Sequence, residues 1–342
     1  SSPESSLFGS CVQMDGGDGP QAAVAGDAET VAKKAAPAEE VPPSATSLLP
    51  LALEEDIPTV DLKELQQAPG DVAAALHKAC SAVGFFFIIN HGVSDELLER
   101  GVQAVRVFTA LPGEIKSQYA MGQNRYPQGT GYVHDVTNPR RPKGNLVEAF
   151  HMRPGPATEC ESDPLGCLPW PQELGDAWRS EVESYIDAFK DLALRMLPAY
   201  SLALATEADC APAAIPPVPA GSPLWRIRLA RYPAVAAYQD GQYGIGPHAD
   251  TSLFTVLHRE EARPGLVVWS ASTQRWVRVP CKPGALLVNV GKFLTQASKG
   301  SFLAARHYVL NECAEERISL AFFFNGVEAA KQQVTDESPP IH

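Results

Sequence analysis

Six side chains in the C-terminal part of this 342-residue chain have the types and spacing of a reactive site. His248 and Asp250 stand two apart, and His307 follows 57 residues after Asp250. Two imidazoles and one carboxylate, with no thiolate among them, suit a non-haem iron(II) centre that binds one face of the metal and leaves the other open. Arg317 and Ser319 are also two apart. A guanidinium grips a carboxylate through paired charge-assisted hydrogen bonds, and a neighbouring hydroxyl can join it. Tyr232 offers a phenolic donor to the same anion. The chemistry implied is metal-borne, and no protein nucleophile is needed beyond the three ligands. The bland alternatives are a structural His248–Asp250 hydrogen bond and an Arg317 paired in solvent with Glu315 or Glu316.

These residues need strands to aim them. In a strand, residues i and i+2 project from one face. The spacing predicts a strand opening at His248, so that His248 and Asp250 point together into a barrel interior, and the same holds for Arg317 and Ser319. From Trp225 onward short apolar runs are separated by turns, predicting strands over 226–232, 252–257, 266–270, 276–279, 285–290, 306–310 and 318–324. Such a series indicates an antiparallel sandwich or barrel. Upstream, residues 57–62 read as a short strand, 71–83 as an amphipathic helix stopped by Gly84, and 85–90 as a buried strand. Ser94 caps a helix over 96–111, and a second long helix runs over 174–205. Pro- and Ala-rich residues 210–223 form a loop.

Composition narrows the function classes. The chain is 45% hydrophobic with a formal net charge of −12, which allows a sizeable core and argues against a nucleic-acid surface. No apolar run approaches the roughly 20 residues of a membrane-spanning helix. Seven widely spaced cysteines contain no C-x-x-C pair, so neither a zinc module nor a disulfide framework is signalled, and a cytoplasmic, reducing location is expected. Cys281 and Cys313 flank core strands and read as inert small hydrophobes. The first 50 residues hold seven acidic side chains, six prolines and a single aromatic, Phe8, too little apolar area to offset ordering entropy. The expected organisation is a disordered tail over 1–52, an N-terminal region with helices and loops over 53–223, a β-rich core over 224–326 and a C-terminal tail over 327–342.

Several stretches carry a family likeness: Ile57 to Leu62, Gly84 to Val93, Leu111-Pro112 with Lys116, Arg231-Tyr232-Pro233, His248 to Leu257, Pro283-Gly284 through Asn289, His307, and Arg317 to Leu320 followed by Phe322-Phe323. On these the chain resembles the iron(II)- and 2-oxoglutarate-dependent oxygenases of the isopenicillin N synthase-like superfamily. The resemblance implies a mainly β fold with flanking helices, a double-stranded β-helix (jelly roll) core under a helical N-terminal layer. It implies that His248, Asp250 and His307 bind iron(II), and that Arg317, Ser319 and Tyr232 hold the distal carboxylate of 2-oxoglutarate, with O2 as the other reactant. The implied enzyme is a dioxygenase that hydroxylates, desaturates or cyclises a small molecule and releases succinate and CO2. The sequence departs from the family at Ala230, often Asn in plant members, and in the segment before His307. It also ends soon after Pro340, where many relatives continue into a covering helix, so a C-terminal lid is expected to be missing.

In relatives the region around residues 120–170 faces substrate, which makes Tyr132, His134, Phe150 and His151 candidate substrate-side residues. Arg125, Arg140, Arg141 and Lys143 form a basic cluster there, either a solvated loop or a contact for an anionic substrate. His91 reads as structural, and His258 as a weak site candidate. Two other functions stay open. One is an oxidase of the isopenicillin N synthase type, which does without 2-oxoglutarate; the other is a non-catalytic jelly-roll binding protein. Secondary metabolism, hormone or amino-acid oxidation and antibiotic-type ring formation are all compatible substrate settings, and oligomeric state is not legible.

Overall fold

Local sequence sets the first elements. The computed structural model describes residues 49–122, 129–138, 141–154, 168–206, 223–236, 242–260, 265–312 and 314–327. The expected tails up to residue 48 and from 328, most of the 210–223 loop, Arg125, Cys313 and the side chains of Arg140, Arg141 and Lys143 lie outside that description. After β1 (Thr59–Asp61), α1 (Pro69–Ala82) buries Val72, Leu76, Ala79 and Cys80 at helical spacing. Gly84 ends it with φ +78°, and a Cβ there would stand 1.9 Å from the Leu303 carbonyl oxygen. Only glycine can make that approach, and it launches β2 (Phe85–Ile89). Ser94 caps α2 (Asp95–Thr109) by accepting from the Leu97 amide at 3.3 Å, with Asp95 and Glu96 in the first turn. A short α3 (Gly113–Ser117), a hairpin of β3 (Gly131–Asn138) and β4 (Arg141–Met152), and the long α4 (Gly175–Ala205) follow.

The β-rich part supplies β5 (Pro223–Tyr232), β6 (Ile245–His248), β7 (Phe254–Arg259), β8 (Leu266–Ser270), β9 (Arg275–Arg278), β10 (Leu286–Val290), a short α5 (Lys292–Ala297), β11 (His307–Val309) and β12 (Arg317–Val327). Two sheets result. The major sheet runs β1-β2-β10-β7-β12-β5-β4-β3 and the minor one β6-β11-β8-β9. Pairing is antiparallel except between β1 and β2. The jelly roll under a helical layer is therefore present. The β3–β4 hairpin is an addition to the expected loops at 120–170. Pro142, Lys143 and Gly144 near its turn interrupt the alternation in the sequence.

Alternation divides the major sheet into two chemistries. One face packs under the helices: Phe189 of α4 meets Phe322 of β12 at 6.0 Å between ring centroids, and Tyr200 stacks on Phe254 at 4.8 Å. The other face turns toward the minor sheet and carries Phe85, Ala230, Tyr232, Leu257 and Leu287 with Val268 and Val309 opposite. Among the described residues no helix is long and apolar enough to cross a membrane.

A buried charge network ties the hairpin to the helical side. Glu148 of β4 accepts from the Lys116 ammonium and from the Tyr132 hydroxyl at 2.9 Å, and pairs with Arg231 of β5 at 3.0 Å. Arg231 also reaches Glu316 at 2.7 Å. Burial would raise the Glu148 carboxyl, but the hydrogen bonds of Lys116 and Tyr132, the Lys116 charge and Arg231 hold it below the ordinary carboxylate range. A folded pKa below the unfolded one means a contribution that is complete above about pH 4.3 and fades as pH falls through the folded value. Glu148→Gln is expected to cost about 3 kcal/mol in urea unfolding at pH 7, because it strands the buried Lys116 ammonium and leaves Arg231 to Glu316 alone. The gap to the parent should narrow below about pH 4; equal stability of the two at pH 7 would contradict the network's role.

Candidate active site

His248 is the last residue of β6, and Asp250 lies in the turn that leads to β7. This corrects the strand-opening expectation: the two side chains converge through a turn, not through strand alternation. The turn is pinned by α5, whose Lys292 amide donates to the Asp250 carbonyl at 2.8 Å. Gly291 makes the approach feasible, since a Cβ there would sit 1.9 Å from the Ser252 carbonyl oxygen. His307 of β11 is the direct cross-strand partner of His248, and the two rings lie 4.3 Å apart. Phe85 closes over His307 edge-on at 5.2 Å.

The three ligand atoms face one another. Asp250 Oδ1 is 3.5 Å from His248 Nε2 and 3.8 Å from His307 Nε2, and the ligand atoms of the trio all lie within 4.8 Å. Each ring turns its other nitrogen to a backbone carbonyl, His248 Nδ1 to Gly246 at 2.8 Å and His307 Nδ1 to Ala305 at 3.2 Å. Those bonds fix the Nδ1–H tautomer and leave both Nε2 lone pairs for a metal. Asp250 Oδ2 accepts from Thr255 at 2.6 Å and from the Asn289 amide at 2.8 Å. One oxygen is thus tied back and the other presented.

Electrostatics agree with ligation. Burial would raise the Asp250 carboxyl, but the hydrogen bond of His248, the fields of His307 and His248 and the Asn289 amide hold it well below the usual carboxylate range. Burial, followed by His248, pushes His307 down to about 4, so the ring is neutral at physiological pH. An ionised carboxylate and a neutral imidazole are the forms a metal binds. The donor set, nitrogen and oxygen on one side of an open space, fits iron(II).

The trio lines a cleft of about 600 Å³ of empty space, its mouth included. Arg317 and Ser319 of β12 and Tyr232 of β5 line the same cleft, and Ser319 pairs with Arg259 of β7, further along the strand from Thr255, which holds Asp250 and pairs with Phe323. Arg317 is the direct partner of Tyr232 across the two strands, and its guanidinium sits 4.2 Å above the Tyr232 ring. Phe85, Ile245, Leu257, Leu266 and Val309 form its apolar walls. Sequence reasoning missed Thr255, Asn289 and Arg259. Arg259 pairs directly with Ser319, lines the same cleft, and donates to the carbonyls of Val279 and Pro280. Alternation from Thr255 through Leu257 would have found it, had the strand been carried to residue 259.

The four substrate-side candidates separate. Tyr132 pairs with Phe150 and His134 with Glu148, all turned toward the helical face. Phe150 is fully buried against Phe108 at 4.5 Å, and Tyr132 binds Glu148 and stacks on His134. None of these three lines the cleft. An alternating strand sends neighbours to opposite faces, so only His151, paired with Arg228, shares the inner face. His91 is structural, as expected: its Nδ1 accepts from the Val93 amide and its carbonyl from Arg195. His258 faces Tyr185, away from the cleft, and Cys281 is exposed, not a core thiol.

The carboxylate's tethers generate a prediction. Thr255→Val and Asn289→Leu should each lower iron(II) affinity about 10- to 100-fold in anaerobic titration, the usual effect of removing a partner that orients a ligand. Unchanged affinity in both would show that Asp250 needs no orientation.

The chain matches known proteins along both of its halves. Residues 57–173 match the family described as the N-terminal region of non-haem dioxygenase in morphine synthesis, and residues 225–326 match the 2OG-Fe(II) oxygenase superfamily. The chain is 31% identical to validamycin A dioxygenase of Streptomyces hygroscopicus subsp. limoneus, covering 79% of this chain and 76% of that one. It is 26% identical to the 2-oxoglutarate-dependent dioxygenase caaD of Aspergillus niger, covering 79% and 84%. The crystal structure of a rice dioxygenase for auxin oxidation superposes with a TM-score of 0.60 at 25% identity, covering 80% and 84%. With its jelly roll, its trio of ligands lining a cleft and matches across both halves, the chain belongs to the 2OG-Fe(II) oxygenase superfamily, as a small-molecule dioxygenase that uses iron(II) on His248, Asp250 and His307 together with 2-oxoglutarate.

Proposed function

We propose that this enzyme oxidises a small organic substrate by hydroxylation, desaturation or ring closure, with release of succinate and CO2, and that Arg317, Ser319 and Tyr232 hold the distal carboxylate of 2-oxoglutarate. The observation that supports the reading is a cation and a hydroxyl two residues apart on β12 that line the same cleft as the ligand trio. When bound, the iron supplies the oxygen chemistry and the electron transfer.

The chain's own residues do the rest. Arg317 is buried, which strengthens its pull on a carboxylate by lowering the local dielectric. Stacking on Tyr232 fixes the plane of the guanidinium for a bidentate grip, and Ser319 can donate from the same face. The apolar walls of the cleft keep water from the reacting atoms. Thr255 and Asn289 keep Asp250 Oδ1 turned to the metal while substrate enters.

Relatives whose names specify a substrate act on validamycin A in one case and oxidise auxin in another, so membership of the superfamily leaves the substrate open. We place the enzyme in a reducing, cytoplasmic setting; the free thiols of Cys80 and Cys281 support that reading.

Arg317→Ala should weaken 2-oxoglutarate about 10-fold or more in anaerobic calorimetry, the scale of a lost charge-assisted pair, while iron(II) binds as before. An equal loss of both, or of neither, would overturn the assignment. Succinate release stimulated by substrate and dependent on O2 tests the reaction itself.

A further inference from the structure

The inner face of β5, together with the residue just past the end of β4, carries a second group of cations that the metal and the 2-oxoglutarate clamp do not use. Arg226 and Arg228 alternate on β5, His151 is the direct partner of Arg228 on β4, and Arg153 follows two residues after His151. Arg226 lies over Phe323 at 4.6 Å, and its charged neighbours are Asp250, Arg228 and Arg153. Arg228 lines the cleft itself. The Nε atoms of Arg153 and Arg228 and Nδ1 of His151 are buried with no hydrogen-bond partner. Burial and the fields of Arg228 and Arg226 push His151 well below the ordinary imidazole range, so it adds a neutral ring to three fixed charges.

Among the described residues the charge balance is incomplete even with the reactants in place. Iron(II) offsets the two charges of 2-oxoglutarate, and Asp250 offsets one guanidinium. Two of the three positive charges then remain, before Arg259 and Arg317 are counted. Half-buried guanidinia without a counter-ion among the described residues are costly, and the fork of N–H donors of Arg228, which lines the cleft, is a geometry that binds a carboxylate. Relative to the ligand trio this wall lies on the β4–β5 side, whereas Arg317 and Ser319 sit further along β12.

We propose that Arg153, Arg226 and Arg228, beside His151, form the anchor of the substrate, and that the substrate is an organic acid bound through its carboxylate. The inference rests on the reading that iron and 2-oxoglutarate share the cleft. The anchor would hold the acid group against the β4–β5 wall and leave the carbon skeleton to lie over the ligand trio. Neutral and cationic molecules of the same size would leave the guanidinia unpaired and be rejected.

The test is a binding measurement on the anaerobic iron(II)–2-oxoglutarate enzyme. Phenylacetate and its methyl ester are titrated by calorimetry, and sulfate is added as a competing anion at constant ionic strength. The acid should bind about 10-fold or more tighter than the ester, and sulfate should displace it. Arg226→Gln and Arg153→Gln should each remove most of that preference, with 2-oxoglutarate and iron(II) binding unchanged, and Arg226→Lys should restore part of it. Equal binding of acid and ester, or no binding of the acid together with no saturable effect of sulfate, overturns the proposal while 2-oxoglutarate still binds. Loss of 2-oxoglutarate binding in the parent enzyme counts instead against the underlying reading. The comparison of acid, ester and sulfate uses the parent protein alone, so it decides the matter even where a variant fails to fold.

Discussion

Burying a carboxylate between two imidazoles is unfavourable unless both of its oxygens are occupied. Asp250 meets that condition by division of labour. Thr255 and Asn289 take Oδ2, and Oδ1 is left facing the two Nε2 atoms at 3.5 and 3.8 Å. Much of the surrounding architecture serves this one group. Thr255 comes from β7 and Asn289 from β10, and these two residues are direct partners in the major sheet. The carbonyl of Asp250 is held from the start of α5, and Gly291 permits the contact. The two histidines come from the minor sheet, paired in register. The ligand set therefore exists only where the two sheets face each other, and it reports that they do.

The major sheet separates charge by face. Toward the helices, Glu148 neutralises Lys116 and Arg231 inside the protein, and Glu316 takes the other side of Arg231. Toward the minor sheet, arginines at 226, 228, 259 and 317 alternate with apolar residues, and the carboxylate of Asp250 is committed to the ligand trio. The first arrangement is self-contained and stabilises the hairpin. The second borders the cleft, which Arg228, Arg259 and Arg317 line and where we propose that cosubstrate and substrate bind. Neighbouring residues on β4 and β5 thus alternate between the two faces, Glu148 beside Ala149 and Arg231 beside Ala230.

The sequence carried much of this arrangement, for physical reasons that can be named. Ligand type and spacing picked out His248, Asp250 and His307 without tertiary information, and the strands at 266–270 and 286–290 were bounded by clear turns. Period-two alternation placed Arg317 and Ser319 on one face. It failed at Asp250, which a turn orients, and at residues 132–151, where a loop was read in place of a hairpin. Once the hairpin is present, the same alternation turns Tyr132, His134 and Phe150 away and keeps His151. Thr255 and Asn289 carry no local signal of their role, because an ordinary strand Thr and Asn acquire it only through a contact 39 residues apart in sequence in one case. Nothing local in the sequence links Arg226 and Arg228 of β5 with Arg153 just past the end of β4, because only the fold brings the two segments together.

The central claim is that iron on the trio and 2-oxoglutarate share one cleft. Anaerobic titration of the iron(II)-loaded protein with 2-oxoglutarate, followed by visible absorbance, tests it most directly. Chelation of the metal by the 2-oxo acid should produce a charge-transfer band that saturates at one cosubstrate per iron and is absent without the metal. Iron demonstrably bound, with no band at saturating 2-oxoglutarate, would contradict the account.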